Sequence, residues 1–109
     1  MSAIVSVYAI FADEEEALRI GRAMVEERLA ACVNMFGPCN SIYRWQGRIE
    51  EAVEFAAILK TRRECAELLI ARIAELHSYE QPAAVVWPIE RALEGYSAWV
   101  RAETEGDQA

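Results

Sequence analysis

The sequence predicts an α+β domain: one four-stranded antiparallel sheet with two helices on one face and a further helix at the C-terminus. Three observations predict it. Two segments carry apolar residues at helical spacing behind a capping pattern, and they alternate with apolar, β-branched stretches. Two of those stretches are joined by Gln46-Gly47, which reads as a tight hairpin turn. A chain of 109 residues, 54% hydrophobic and 27% charged, forms one domain that buries roughly two thirds of the surface its unfolded state exposes.

The elements follow in order. "AIVSVYAIF" (Ala3 to Phe11) is rich in β-branched and aromatic residues and reads as the first strand. Asp13 offers an N-cap oxygen with Glu16 three residues on, a capping-box pattern, and Leu18, Gly21, Val25 and Leu29 form the apolar face of the helix that follows. "ACVNMF", a break or bulge at Gly37-Pro38, and "SIYRW" make a long, interrupted second strand. "RIEEAVEFAAILK" returns as the third. Thr61 with Glu64 repeats the capping pattern, and Cys65, Leu69, Ile73 and Leu76 stripe a second helix that ends near His77. "AAVVW" is the fourth strand, stopped by Pro88, and a short last helix carries Leu93, Tyr96, Trp99 and Val100.

This β-α-β-β-α-β order is the split βαβ, or ferredoxin-like, arrangement. The domain is expected over residues 1–102, with 103–109, "ETEGDQA", as an acidic flexible tail. "FAAIL" and "AAVVW" are apolar at consecutive positions, whereas strands covered on one face should alternate. The second face therefore needs cover beyond what a short helix provides, and a homo-oligomer is expected.

Composition excludes several functions. The net charge is -7, and the bases stand singly or as the Arg62-Arg63 pair, so there is no basic footprint for nucleic acid. The N-terminus has no basic region or cleavage pattern, which makes the cytoplasm the expected location. The longest uncharged run, Leu29 to Tyr43, is too short and too polar to span a bilayer, so no membrane role is expected. Cys32, Cys39 and Cys65 form no CxxC pair and read as free thiols in a reducing compartment. Neither a GxSxG elbow nor a glycine-rich phosphate loop is present, and no enzyme is expected.

Four features bear on a site. Cys32 and Cys39 lie seven residues apart on one strand, which in a regular strand points them to opposite faces roughly 20 Å apart; Cys32 reads as a small core residue. Lys60 shares a strand face with Glu54, either as a buried pair or as a solvated strand end. Trp45 and Trp87 sit at strand ends, as packing residues or pocket walls. His77, the only histidine, closes a helix where the macrodipole favours an imidazolium, with Tyr79 and Glu80 close behind. It reads either as a helix terminator bonded locally or as a metal ligand that needs Glu80, a cysteine or another chain to complete its set.

"ERLAACVN" (Glu27 to Asn34), "SIYRWQGRIEE" (Ser41 to Glu51), "ILKT" (Ile58 to Thr61), "HSYEQP" (His77 to Pro82) and "YSAWV" (Tyr96 to Val100) resemble, in order and spacing, the CutA divalent-cation tolerance family. The resemblance implies a ferredoxin-like homotrimer with sheets facing inward, a role in tolerance to copper and other divalent cations, and no established reaction. It implies candidates for a shared inter-subunit pocket at Cys32, Trp45, Glu54, Lys60, Tyr79 and Glu80, with His77 and Glu80 as metal ligands. A trimeric module similar in architecture to PII signalling proteins, holding a small molecule or partner loop in its clefts, is the alternative. The chain departs from the family at Ser78, where proline is usual and where the restored N–H should loosen a turn. Ala9 and Leu76 stand where some members carry a cysteine and a second histidine, which implies fewer copper ligands, and Ala92 replaces the usual glycine before the last helix.

Overall fold

The computed structural model describes residues 2–105. The elements are β1 (Ile4–Phe11), α1 (Glu14–Glu26), β2 (Cys32–Trp45), β3 (Arg48–Arg62), α2 (Ala66–Leu76), β4 (Ala84–Pro88) and α3 (Glu94–Glu103), with a 3-10 turn at Arg63–Cys65 leading into α2. The sheet order is β2-β3-β1-β4, and every neighbouring pair is antiparallel. The ferredoxin-like arrangement expected from the element order is the one observed.

Alternation along the strands divides the sheet into two faces. Val5, Val7, Ala9 and Phe11 of β1 lie beside Thr61, Leu59, Ala57 and Phe55 of β3, and this face meets the two helices. Ala17, Ile20 and Met24 of α1 and Leu69 and Ile73 of α2 close the core against it. Ile20, Met24, Leu69 and Ile73 each contribute about 1.5–3 kcal/mol through the water they exclude. The expected α2 stripe holds, since Cys65, Leu69 and Ile73 are buried and Leu76 packs on the core.

The α1 stripe is different. Leu18 and Val25 are exposed, and the buried face is Glu16, Ala17, Ile20, Gly21 and Met24. Positions 17, 20, 21 and 24 follow the i, i+3, i+4, i+7 spacing, which places Leu18 and Val25 one step around the helix. Gly21 belongs to this face because β2 passes close: a Cβ there would stand 3.0 Å from Met35 Cε and 3.1 Å from Val33 Cγ1. Asp13 caps α1 as expected, accepting the Glu16 N–H at 2.9 Å. The second capping expectation fails. β3 continues to Arg62, so Thr61 sits inside the strand opposite Val5 with its hydroxyl buried, and α2 begins after the 3-10 turn without a side-chain cap.

The hairpin is longer than the rest of the sheet, with strands of 14 and 15 residues against eight in β1. Gln46 (φ 51) and Gly47 (φ 81) both take positive φ, the pattern of a two-residue primed turn that matches strand twist. The expected irregularity at Gly37-Pro38 is a β-bulge: Met35 pairs with Ala57 and Gly37 (φ 123) with Ala56, leaving Phe36 as the extra residue. An extra residue reverses the alternation beyond it. Cys32 opposes Lys60 and Cys39 opposes Glu54, so both cysteines fall on the helix-free face rather than on opposite ones.

That helix-free face is only partly covered. At one end α3 lays Val100 against Ile4 and Ala31. Thr104, expected within the tail, is fully buried there: its hydroxyl donates to Val100 O, and its carbonyl accepts from Arg62 Nε at 3.1 Å. Thr104 therefore belongs to the packed domain, and residues 106–109 of the expected tail lie outside the described residues. Of the expected α3 stripe only Val100 is fully buried, whereas Leu93 and Trp99 are exposed. Across the middle of the face Tyr8 stacks on Trp87 at 4.7 Å, and Val85 and Trp87 stay nearly half exposed.

Candidate functional site

The loop from α2 to β4 carries side chains from the helix layer around to the helix-free face. His77 is its pivot. The residue ends α2 with extended backbone (φ -74, ψ 149), and its ring stacks on Phe11 at 5.3 Å with the side chain fully buried. Its Nδ1 lies 3.0 Å from the Tyr79 backbone nitrogen, and its Nε2 lies 2.8 Å from Ile10 O. A backbone N–H can only donate and a carbonyl can only accept, so Nδ1 supplies the lone pair and Nε2 carries the proton. Both ring nitrogens are committed within the chain. The local helix terminator is thus the arrangement observed, and His77 is not among the described residues that line the cavity with Glu80.

Glu16 locks this loop to α1. Its carboxylate accepts the Ala12 N–H and the Ser78 N–H, each at 2.9 Å, and stands 3.6 Å from His77 Nε2. Burial pushes its pKa up, but the bonds from Ala12 and Ser78 and the nearby His77 outweigh this and hold it below the ordinary 4.5. Ser78 consequently ties the turn down instead of loosening it, through the very N–H that proline lacks.

Beyond Ser78 the chain reaches the helix-free face. The Tyr79 hydroxyl donates to Glu54 Oε2 at 2.6 Å, the short contact of a charge-assisted bond. Burial, and then this bond to Glu54, push the phenol well above its usual range, so it remains a donor at neutral pH. Glu54 is only 8% exposed. Around the pair lies a cavity of about 460 Å³ lined by the rings of Tyr43, Trp45 and Tyr79, the carboxylates of Glu54 and Glu80, and the smaller Ile10, Ser41 and Ala83.

Four of the seven predicted site residues, Trp45, Glu54, Tyr79 and Glu80, thus meet in one pocket. Within one chain Cys32 and Lys60 do not join them. They pair at the other end of the face, six residues along β3 from Glu54, or roughly 20 Å of strand. There Lys60 Nζ donates to Asn34 Oδ1 at 2.7 Å rather than to Glu54, and Cys32 Sγ lies 3.5 Å from the Tyr96 hydroxyl. Burial, then the Cys32 contact, push the Tyr96 phenol up to about 12.

Tyr43, Ser41, Ile10 and Glu16 were not anticipated. The bulge is the signal for the first two, because a reversal at Phe36 puts Ser41 and Tyr43 on the face of Glu54. For Glu16 the capping pattern was present, but nothing local shows that the same carboxylate also holds Ser78. Among the described residues no group of three or more histidine, cysteine, aspartate or glutamate side chains converges as a metal site. The pocket offers a cation two carboxylates and no imidazole, which does not make a closed transition-metal site. Among the described residues, no helix is long and apolar enough to cross a membrane.

Fold and pocket define a class: a ferredoxin-like domain with an acidic, aromatic-walled pocket on the sheet face its two main helices leave bare. Residues 5–103 match the model of the CutA1 divalent ion tolerance protein family, and the chain belongs to that family. It is 42% identical over 98 residues to a divalent-cation tolerance protein CutA of Thermotoga maritima, covering 90% of this chain and 96% of that one. The periplasmic divalent cation tolerance protein CutA of Archaeoglobus fulgidus superposes with a TM-score of 0.90 at 39% identity, over 94% of this chain and 99% of that one. CutA of Xylella fastidiosa gives 0.92 at 34% identity, over 95% and 100%. The family description names tolerance to divalent ions, not a reaction.

Proposed function

We propose that the protein acts in tolerance to divalent cations as a homotrimer, with its pocket opening onto a cleft between subunits where copper or a similar cation is held weakly. The observation that carries this reading is the bare sheet face. Val85 and Trp87 are 45% and 46% exposed on it, and the strands at both edges, β2 and β4, have no further neighbour among the described residues. A face of this kind is covered by further copies in a closed ring, with the pocket at the rim. Within the cleft the contacts to a cation come from Glu54 and Glu80, while His77 fixes the loop that presents Tyr79. Carboxylates alone favour hard cations and give little selectivity, which matches weak binding. Among the described residues no disulfide joins Cys32, Cys39 or Cys65, which supports the reducing cytoplasm as the location.

Light scattering at micromolar concentration and calorimetric titration with Cu(II), Zn(II) and Mg(II) test the reading together. A mass three times that of one chain is expected, with weak binding that Glu54→Gln and Glu80→Gln reduce and His77→Ala changes only through the loop. A monomeric mass, or binding indifferent to both glutamates, refutes it. A second reading, a regulatory module similar in architecture to PII proteins with a small molecule in the cleft, is favoured by the three rings around the pocket.

A further inference from the structure

We infer that α3 is a strap whose last turn, Arg101 to Thr104, opens without unfolding the core and, when closed, seals the Cys65 thiol. The contacts that close it lie within one chain, so they do not depend on how copies assemble. Three side chains from separate places converge on two carbonyls. Arg28, after α1, donates from Nη1 to Glu103 O at 3.1 Å. Arg62, at the end of β3, donates from Nε to Thr104 O at 3.1 Å, and the Cys65 thiol donates to the same oxygen at 3.7 Å. A helix C-terminus leaves its last carbonyls without partners inside the helix and carries partial negative charge, which suits guanidinium donors. Thr104 is fully buried and Cys65 is 1% exposed. With the Thr104 carbonyl on the thiol, a reagent reaches sulfur only after this turn has moved.

The strap can move because the core does not include it. The buried residues of the main core come from β1, α1, β3, α2 and the loop at Ala30, and no described residue of α3 is among them. Instead α3 joins a separate cluster, in which Val100 meets Ile4 and Ala31 and Tyr96 packs alongside. Nor is this helix stable by itself. It has ten residues, fewer than the ~12–15 at which isolated helices become marginal. Leu93 at its N-cap offers no side-chain oxygen, and Gly95 sits in its first turn. Its order therefore rests on docking, through Val100 and Tyr96 along its length and through the clasp on Glu103 and Thr104 at its end. The clasp consists of side-chain to backbone bonds, so opening it breaks no ladder bond of the sheet.

The test is alkylation of Cys65 by iodoacetamide at pH 8, followed by intact mass. It uses the full chain carrying Cys32→Ser and Cys39→Ser, so that one of the three thiols remains. Hydrogen exchange of the α3 amides is the second readout. The expected rate is slow, independent of protein concentration and nearly flat in low urea, because a local opening exposes little surface. Arg62→Met should accelerate alkylation about ten-fold, as expected for the loss of one hydrogen bond from a charged donor. Val100→Ala removes no contact of Cys65, yet it should accelerate alkylation several-fold together with α3 amide exchange; if Arg62→Met does not fold, this variant decides. Gly21→Ala, which strains the contact of α1 with β2, should lower the urea midpoint and leave the alkylation rate unchanged. A rate that Gly21→Ala raises as much as Val100→Ala does, or that climbs steeply with urea, means exposure by global unfolding and overturns the inference. A rate that falls as protein concentration rises means exposure by subunit release and overturns it too. Alkylation as fast in the folded chain as in the urea-unfolded one shows that nothing seals the thiol.

Discussion

Replacing Glu16 tests whether one buried carboxylate holds the site loop to the helix layer. Its oxygens accept two backbone N–H groups, from Ala12 before α1 and from Ser78 after α2, both at 2.9 Å, and the residue is 6% exposed. A hydrogen bond to a charged group contributes about 1.5–3 kcal/mol, and an abandoned buried donor costs about 1–3 kcal/mol. Both donors are only partly buried, so Glu16→Ala should destabilise by about 3 kcal/mol, and Glu16→Gln, which keeps one acceptor oxygen, by about half as much. Urea unfolding followed by circular dichroism at fixed protein concentration measures both, since an oligomer's stability depends on concentration.

The same residue makes a pH prediction with a definite sign. Burial alone raises the Glu16 pKa, but its hydrogen bonds and His77 lower it further than that, so the folded value lies below the ordinary 4.5. A depressed carboxylate stabilises the fold fully above its unfolded pKa, and this contribution disappears as pH falls through the folded value. The stability difference between the wild type and Glu16→Gln should therefore stay level from pH 8 to about 6 and shrink below about 4.5. A loss under about 0.5 kcal/mol in Glu16→Ala, or a difference unchanged from pH 7 to pH 3, refutes the role given to Glu16.

Alkaline titration at 295 nm should show Tyr79 and Tyr96 still un-ionised near pH 11, since burial raises both; a 295 nm change near pH 11 that Tyr79→Phe and Tyr96→Phe each diminish, in a chain with native circular dichroism, contradicts this. Gly21→Ala should destabilise by about 1 kcal/mol, because crowding against a well-packed neighbour, here Val33 at 3.1 Å, outweighs a helix-propensity gain of similar size; an unchanged or higher urea midpoint rejects the close approach. Ser78→Pro removes the donor to Glu16 and should cost about 1–2 kcal/mol, although proline is usual at this position in the family; stabilisation by proline shows that the Ser78 bond contributes nothing.

Local signals showed most of the fold. Asp13 was readable as a cap because its partner is three residues away, and Gln46-Gly47 as a turn because both take positive φ. The misread features all depend on distant partners. Thr61 and Glu64 have capping spacing, but pairing with Val5 keeps Thr61 in β3. Leu18 and Val25 are as apolar as Ile20 and Met24, and only the helix's rotation on the sheet decides which pair is buried. Four of the candidate residues, Trp45, Glu54, Tyr79 and Glu80, line one cavity within the chain. Their separation from Cys32 and Lys60 was hidden, because family motifs are ordered along the chain and the face is ordered by register.

Two small departures from regularity therefore build the pocket. Without the extra Phe36, Tyr43 and Trp45 would point to the helix side of the sheet, and Glu54 would face the helix-free side without them. Without the double anchor on Glu16 and His77, the loop after α2 would have no reason to carry Tyr79 across the sheet to Glu54. The histidine acts behind the pocket rather than in it: its proton goes to Ile10 O and its lone pair takes the Tyr79 N–H. A substitution at His77 should thus disturb ligand binding by moving Tyr79, and the Tyr79 phenol should titrate lower in His77→Ala as its contact with buried Glu54 loosens. Loss of binding with an unshifted phenol would instead mean that the imidazole itself meets the ligand.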